Sequence, residues 1–186
     1  MKYLIGFAGK KRSGKDTAAG FLSEALPAEH IVRLSFALPL KRWVADMFHI
    51  SLETLEQQKA RYRKALQFLG EFARELWGDD YWIRKLNIEL NKCGEGDVVI
   101  ITDVRYKNEA EYIRALGGVV VRINRVTSRI DHPDYGTGTD KHASETALDY
   151  YEHYFKTINA LSLQDLKQQI ETLAHELIQT KHSSSR

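Results

Sequence analysis

Tyr3-Leu4-Ile5-Gly6-Phe7-Ala8-Gly9-Lys10-Lys11-Arg12-Ser13-Gly14-Lys15-Asp16-Thr17 is the stretch on which the reading of this chain turns. Its first six residues form an apolar run, and a helix-like segment continues from Thr17 to Leu26. Strand, glycine-rich loop and helix make the context of a P-loop, and two glycines five apart followed by Lys have its spacing. Gly9 and Gly14 allow the backbone to turn several N–H groups toward one anion, and the helix N-terminus adds partial positive charge. Lys15 has the reach for the β- and γ-phosphates of a nucleotide. An ordinary strand–helix turn does not explain three cations, Lys10, Lys11 and Arg12, crowded where the helix dipole disfavours them. An arriving polyanion does.

One position departs from the motif. The residue after the lysine is usually Ser or Thr, which holds Mg²⁺. Here it is Asp16, and Thr17 follows. Nucleoside monophosphate kinases of the adenylate kinase kind also place the Thr one residue later, so Thr17 is the better candidate for a hydroxyl near the phosphates. Asp16 either reaches Mg²⁺ through water or simply suits a first helical turn.

A chain of 186 residues suits one domain with a sizeable core. It is 43% hydrophobic and 28% charged, the balance of a globular soluble protein, and a net charge of +2 is too small to argue for a nucleic-acid or membrane surface. The single cysteine, Cys93, allows no internal disulfide and suits a reducing compartment. No run approaches a membrane span and no targeting segment is visible, so the cytoplasm is the expected location.

Strand-like runs lie at Tyr3–Ala8, Ile31–Phe36, Asp97–Thr102, Val119–Asn124 and Tyr154–Asn159, with helix-like segments between them. Pro39 suits a first helical turn. Ser51 starts a short helix, Arg61 to Trp77 has helical spacing, Asp79-Asp80 suits a cap, and Ser162 to Asp165 resembles a capping box. Val98 to Ile101 is apolar throughout, as in a parallel strand buried on both faces. The alternation predicts an α/β P-loop NTPase fold: a five-stranded parallel sheet flanked by helices, with ligands at the carboxyl ends of the strands. The expected layout is one kinase domain over 1–180. Its core is 1–36 and 97–180, a helical substrate-binding part spans about 37–95, and a polar tail follows at 181–186. The stretch 125–143, rich in Gly, Asp, Thr and His with Arg125 and Arg129 at its start, is expected to be a lid.

Asp103, after the apolar run Val98 to Thr102, resembles a Walker B position, where an Asp holds Mg²⁺. Arg105 and Glu109 follow. Together they could grip a polar small molecule, the Arg taking a phosphate and the carboxylates taking hydroxyls or base N–H groups, or they could form a surface pair. Arg63 and Arg74 lie eleven apart, on one face of a helix and roughly 16 Å from one another. Trp82 could stack on a base or fill a core. No Cys/His set has zinc spacing, and no nucleophile elbow or Ser/His/Asp set occurs.

Several pieces then line up in order: the loop from Gly9 to Thr17, Ala37-Leu-Pro-Leu-Lys41, Arg63-Lys-Ala-Leu-Gln-Phe-Leu-Gly70, Asp80-Tyr-Trp82, Ile101-Thr-Asp-Val-Arg-Tyr-Lys-Asn-Glu109, Ala115-Leu-Gly-Gly118 and Asp140-Lys-His-Ala-Ser-Glu145. Over nearly its whole length the chain resembles the bacteriophage deoxynucleoside monophosphate kinases. The resemblance implies ATP- and Mg²⁺-dependent phosphorylation of deoxynucleoside monophosphates to diphosphates. It implies that Arg12, Ser13, Gly14, Lys15, Asp16 and Thr17 bind ATP, and the loop motif itself makes Asp16 and Thr17 the candidate metal ligands. Lys11, Lys41, Arg63, Trp82, Asp103, Arg105 and Glu109 are implied to line the monophosphate site, which Arg74 joins on its shared helix face. Catalysis is expected from Lys15 with Arg125 and Arg129 of the lid. The expected partners are ATP and the monophosphate, with neither nucleic acid nor membrane; a homodimer is compatible with the sequence. Glu71 stands where a Thr commonly follows the Gly, and the insertion between Phe48 and Arg61 is brief, departures that bear on substrate range more than on reaction type. A P-loop kinase for another phosphorylated small molecule, phosphomevalonate-like or dephospho-coenzyme A-like, is the alternative. A nucleotide-dependent switch is a further one, although no Asn-Lys-x-Asp motif occurs.

Overall fold

Apolar runs too short to be helices pair side by side in a computed structural model that describes residues 3–126 and 142–183. They are β1 (Tyr3–Ala8), β2 (Ile31–Leu34), β3 (Val98–Val104), β4 (Val119–Arg125) and β5 (Lys156–Ala160), in one sheet of order β2-β3-β1-β4-β5. β1 is parallel to β3 and to β4, and β4 is parallel to β5. Val98 to Ile101 are all buried, as a strand covered on both faces must be. The helices are α1 (Lys15–Ala25), α2 (Leu38–Met47), α3 (Leu52–Gln57), α4 (Lys59–Trp77), α5 (Tyr81–Leu90), α6 (Lys107–Ala115), α7 (Ala143–Thr146) and α8 (Leu163–Ser183). A central strand β1 with parallel neighbours on both sides, a glycine-rich loop leaving its carboxyl end and helices flanking the five-stranded sheet are the expected α/β P-loop arrangement.

Two compact units result: Met1–Arg33 with Glu95–Arg186, and Leu34–Gly94. In the sheet unit, Ile5 and Phe7 of β1 pack with Ala18, Ala19 and Leu22 of α1 and with Ile170 and Leu173 of α8. Full burial of each large side chain contributes about 1.5–3 kcal/mol, which is what clamps both helices to the sheet. The helical unit buries Leu40, Val44, Leu55, Tyr62, Ala73 and Trp82 among its own four helices.

Local signals act where the sequence places them, with corrections. Pro39 lies in the first turn of α2. Ser51 Oγ accepts from Thr54 N at 3.0 Å and caps α3. Asp80 holds the N-cap position of α5, but its carboxylate pairs with Arg84 and makes no cap bond. Ser162 Oγ accepts from Asp165 N at 3.1 Å, while the Asp165 carboxylate reaches one residue further back, to Leu161 N at 2.8 Å. The bond from Leu161 lowers the pKa of that carboxyl, helped by Gln169. α8 continues through Ser183, so the expected tail from 181 is helical in its first half. Most of the expected lid, including Arg129, lies outside the described residues, between Arg125 at the end of β4 and Ala143 at the start of α7. Among the described residues no helix is long and apolar enough to cross a membrane.

Candidate active site

Sheet register brings the site together. Ala8 of β1 stands opposite Val104 of β3, so Gly9 and Arg105 leave the sheet side by side. The loop after β1 then closes tightly. A Cβ on Gly9 would lie 2.2 Å from the Ile123 carbonyl oxygen, and Gly9 has φ +141°, so only glycine fits. Gly14 has φ +98° and Arg12 φ +59°. A non-glycine residue held in that region costs on the order of 1–3 kcal/mol, strain of a kind that clusters at ligand clamps.

Lys15 is buried at the head of α1. Its ammonium donates to Gly9 O at 2.8 Å and Lys10 O at 2.7 Å, with Ser13 Oγ at 3.4 Å. Burial, seconded by the Arg105 charge, lowers its pKa to about 8, while Glu145, Asp16 and Asp103 pull it back up. Lys15, Arg105, Asp103 and Glu145 thus share one electrostatic environment. Beside them opens a pocket of about 390 Å³. One wall is the loop from Arg12 to Thr17; the other is Arg125 of β4, the turn Ala160 to Leu163, and Leu166. A cationic, amide-rich wall facing a largely apolar one suits a molecule with a phosphate end and a ring end.

Asp16 and Thr17 are exposed in the first turn of α1, and Asp103 is half-buried within β3. Among the described residues no cluster of three His, Cys, Asp or Glu could hold a metal. Mg²⁺ does not need one, because it binds through one or two protein oxygens together with substrate phosphates. Asp16, Thr17 and Asp103 fit that demand.

Arg105 donates through Nη1 to Ser144 O at 3.2 Å and forms an ion pair with Glu145. Glu145 also accepts the Lys11 backbone N–H at 2.7 Å. Glu109 corrects the expectation that it meets substrate. It is 1% exposed, and its Oε2 accepts from Arg105 N at 2.8 Å and Tyr106 N at 3.1 Å. It is the N3 glutamate that caps α6, reaching back to N–H groups that no helical carbonyl can satisfy.

The remaining expected residues belong to the helical unit. Lys41 pairs with Glu56 at 2.5 Å. Burial pushes the Glu56 carboxyl up, but hydrogen bonds from Lys41 and Lys59 outweigh that and hold it below the usual value. Arg63 is half-buried on α4, and Arg74 donates to Asp79 O at 3.3 Å. Trp82 is the second correction. It is 3% exposed, its Nε1 donates to Gly70 O at 3.1 Å, and Trp43 and Tyr81 meet it edge-on. A ring packed on its faces with its one donor used is core, and has no face to give a base.

Sequence reasoning gave no role to two features of the site. One is Glu145, quoted only as the end of a motif. The other is the Ala160 to Leu163 wall, where the capping signal at Ser162 marked a helix start next to a strand end.

The sequence model of the phosphomevalonate kinase family matches residues 7–118. A protein of Acanthamoeba polyphaga mimivirus named "Putative deoxynucleotide monophosphate kinase" is 31% identical, across 90% of this chain and 93% of that one. Two proteins of Ictalurid herpesvirus 1 (strain Auburn), ORF77 and ORF76, are each 27% identical, across 90% and 94% of this chain and 68% of theirs. Shikimate kinases of Aquifex aeolicus and Acinetobacter baumannii superpose with TM-scores of 0.47 at 16% and 14% identity. Those alignments cover 93% and 95% of this chain and 96% and 94% of theirs, and a likeness of that degree carries no argument. The family match spans more than half of the chain and the mimivirus relative nearly all of it, and by both measures this chain belongs to the P-loop kinases described by the phosphomevalonate kinase model.

Proposed function

We propose that the protein transfers the γ-phosphoryl group of ATP to the 5′-phosphate of a deoxynucleoside monophosphate, giving the diphosphate and ADP. One observation carries the reading: Gly9 and Arg105 leave adjacent strands together, and Lys15 lies within the field of Arg105. A donor cradle and an acceptor cation therefore stand side by side. The mimivirus relative supports a nucleotide as the acceptor.

An acceptor phosphate is already an oxyanion, so no strong general base is required. The task is to set two polyanions in line and neutralise the charge that develops between them. The amides of Gly14 to Thr17 and the Lys15 ammonium hold the donor phosphates, and the Ala160 to Leu163 wall takes the donor ring. Arg105 holds the acceptor phosphate, with Lys11 as a further cation of that side. Arg125 and Arg129 serve the transferring group. Mg²⁺, when bound, neutralises the β- and γ-phosphates, and Asp16, Thr17 and Asp103 are the residues that would hold it.

The family match favours a second reading, a phosphomevalonate-like acceptor on the same machinery. A coupled ADP-release assay over the common ribo- and deoxynucleoside monophosphates and phosphomevalonate separates the two. The proposal expects ATP consumption only with a deoxynucleoside monophosphate present. Turnover with phosphomevalonate alone transfers the site to the second reading, and ATP hydrolysis indifferent to any acceptor contradicts both.

A further inference from the structure

We propose that Glu145 is a positioning residue whose carboxylate bridges the Arg105 guanidinium to the P-loop backbone, so that donor and acceptor phosphates are gripped from one rigid frame. The inference rests on the reading of Arg105 as the acceptor-phosphate anchor.

One oxygen of Glu145 accepts the Lys11 N–H at 2.7 Å, and the other takes Arg105 Nη1. Each carboxylate oxygen thus serves a different partner. A glutamine in its place presents one acceptor and one donor, and the donor meets an N–H on either side. The Glu145 side chain is 11% exposed, so the pair is shielded from water and losing one partner matters more than at a surface.

α7 is itself held in place. His142 Nδ1 accepts from Ser144 N at 3.1 Å, fixing its first turn, and Ser144 O receives the second bond from Arg105. Lys10 reaches Asp149 at 3.2 Å, a second tie between the P-loop and the segment after α7. Arg122 adds a bond to Leu148 O at 3.3 Å. Glu145 therefore projects from an anchored element. Its charge also offsets the effect of Arg105 on Lys15, which lets two cations of like sign share this small site.

Both ties to Arg105 use Nη1 of a guanidinium with five donors, so the fork is oriented with other N–H groups in reserve for a phosphate. Orientation of this kind turns a flexible side chain into a fixed anchor, and its loss shows in the acceptor's kinetics.

Steady-state kinetics of four proteins test this: wild type, Glu145→Gln, Arg105→Ala and the double variant. Glu145→Gln is expected to raise the KM for the acceptor monophosphate about tenfold, the size of one lost charged hydrogen bond. The KM for ATP should move by less than about twofold, and in the Arg105→Ala background Glu145→Gln should add less than about twofold, inside the scatter expected of additive sites. Independent, additive effects of the two substitutions would overturn the proposal, as would an equal rise in the ATP KM. If Arg105→Ala raises the acceptor KM and Glu145→Gln does not, the bridge alone is refuted. If Arg105→Ala leaves the acceptor KM unchanged, the acceptor-site reading falls and the bridge with it. Melting curves accompany each protein. Should Glu145→Gln fail to fold, Glu145→Asp, too short to span both partners, replaces it with the same expected non-additivity.

Discussion

The carboxyl end of the sheet and the helical unit Leu34–Gly94 bury opposite kinds of side chain. Among the described residues the buried polar or charged ones are Ser13, Lys15 and Glu109, all at the sheet end. The helical unit instead buries Tyr62 and Trp82 among aliphatic side chains. Burying charge is expensive unless a structure or a ligand needs it; Glu109 is needed by the α6 cap, which leaves Ser13 and Lys15 of the loop after β1 to mark the candidate site. Burying aromatic rings is favourable on its own account and marks a core. Trp82 and Lys15 both lie in motifs of the resemblance, and both are buried, but one buries a ring and the other a charge.

The largest expected effect falls on the packing side. Trp82→Ala should cost about 3–5 kcal/mol of stability by opening a cavity. The acceptor KM of the folded fraction should stay within about twofold of wild type, because the buried ring has no face to give a ligand. Thermal melts and kinetics on the same preparation check this, and a raised KM with an unchanged melting temperature would put Trp82 back in the site. Lys15→Met should do the reverse, cutting turnover on the order of a hundredfold or more, as loss of one charge-stabilising donor does, while the fold survives. A folded variant with near-normal turnover would break the P-loop assignment.

A smaller effect follows from the depressed Lys15 pKa, about 8 against an ordinary 10.5. Between those values the unfolded chain binds more protons than the folded one. Stability from this group is therefore gained as pH rises from 8 toward 10.5 and lost as it falls back, by at most about 1.4 kcal/mol per pH unit. Comparing wild type with Lys15→Met across pH 7 to 10 isolates the effect, and parallel profiles would contradict it. The smallest effect is at Lys41. Lys41→Ala should cost less than about 1 kcal/mol, as partly exposed pairs do, because Glu56 keeps Lys59. A loss several times that size in the melts would mean that the Lys41–Glu56 pair is structural after all.

Much of the sheet was legible because its signals are local. Glycine spacing, an apolar run of four, and serines three residues ahead of an N–H all act within one turn of chain. Glu109 misled because Arg-x-x-x-Glu is both a plausible ligand pair and the spacing of an N3 glutamate reaching back over its own helix start. For Trp82 the residues left base stacking and core open and only the resemblance drew it to the site; which side of α5 turns inward is set by packing against α2 and α4, which no local pattern encodes. Glu145 went unassigned because its partners, Arg105 and Lys11, are 40 and 134 residues away in the chain. Arg129, the second expected lid arginine, lies outside the described residues.

The central claim is that the loop after β1 serves the donor and the residue after β3 serves the acceptor. Calorimetric titration of Arg105→Ala with ATP and with the monophosphate separately tests it most directly. The account predicts that monophosphate affinity falls by about 2–5 kcal/mol, the usual consequence of truncating one partner of a buried charged contact, while ATP affinity is nearly unchanged. Equal weakening of both ligands, or weakening of ATP alone, would contradict it.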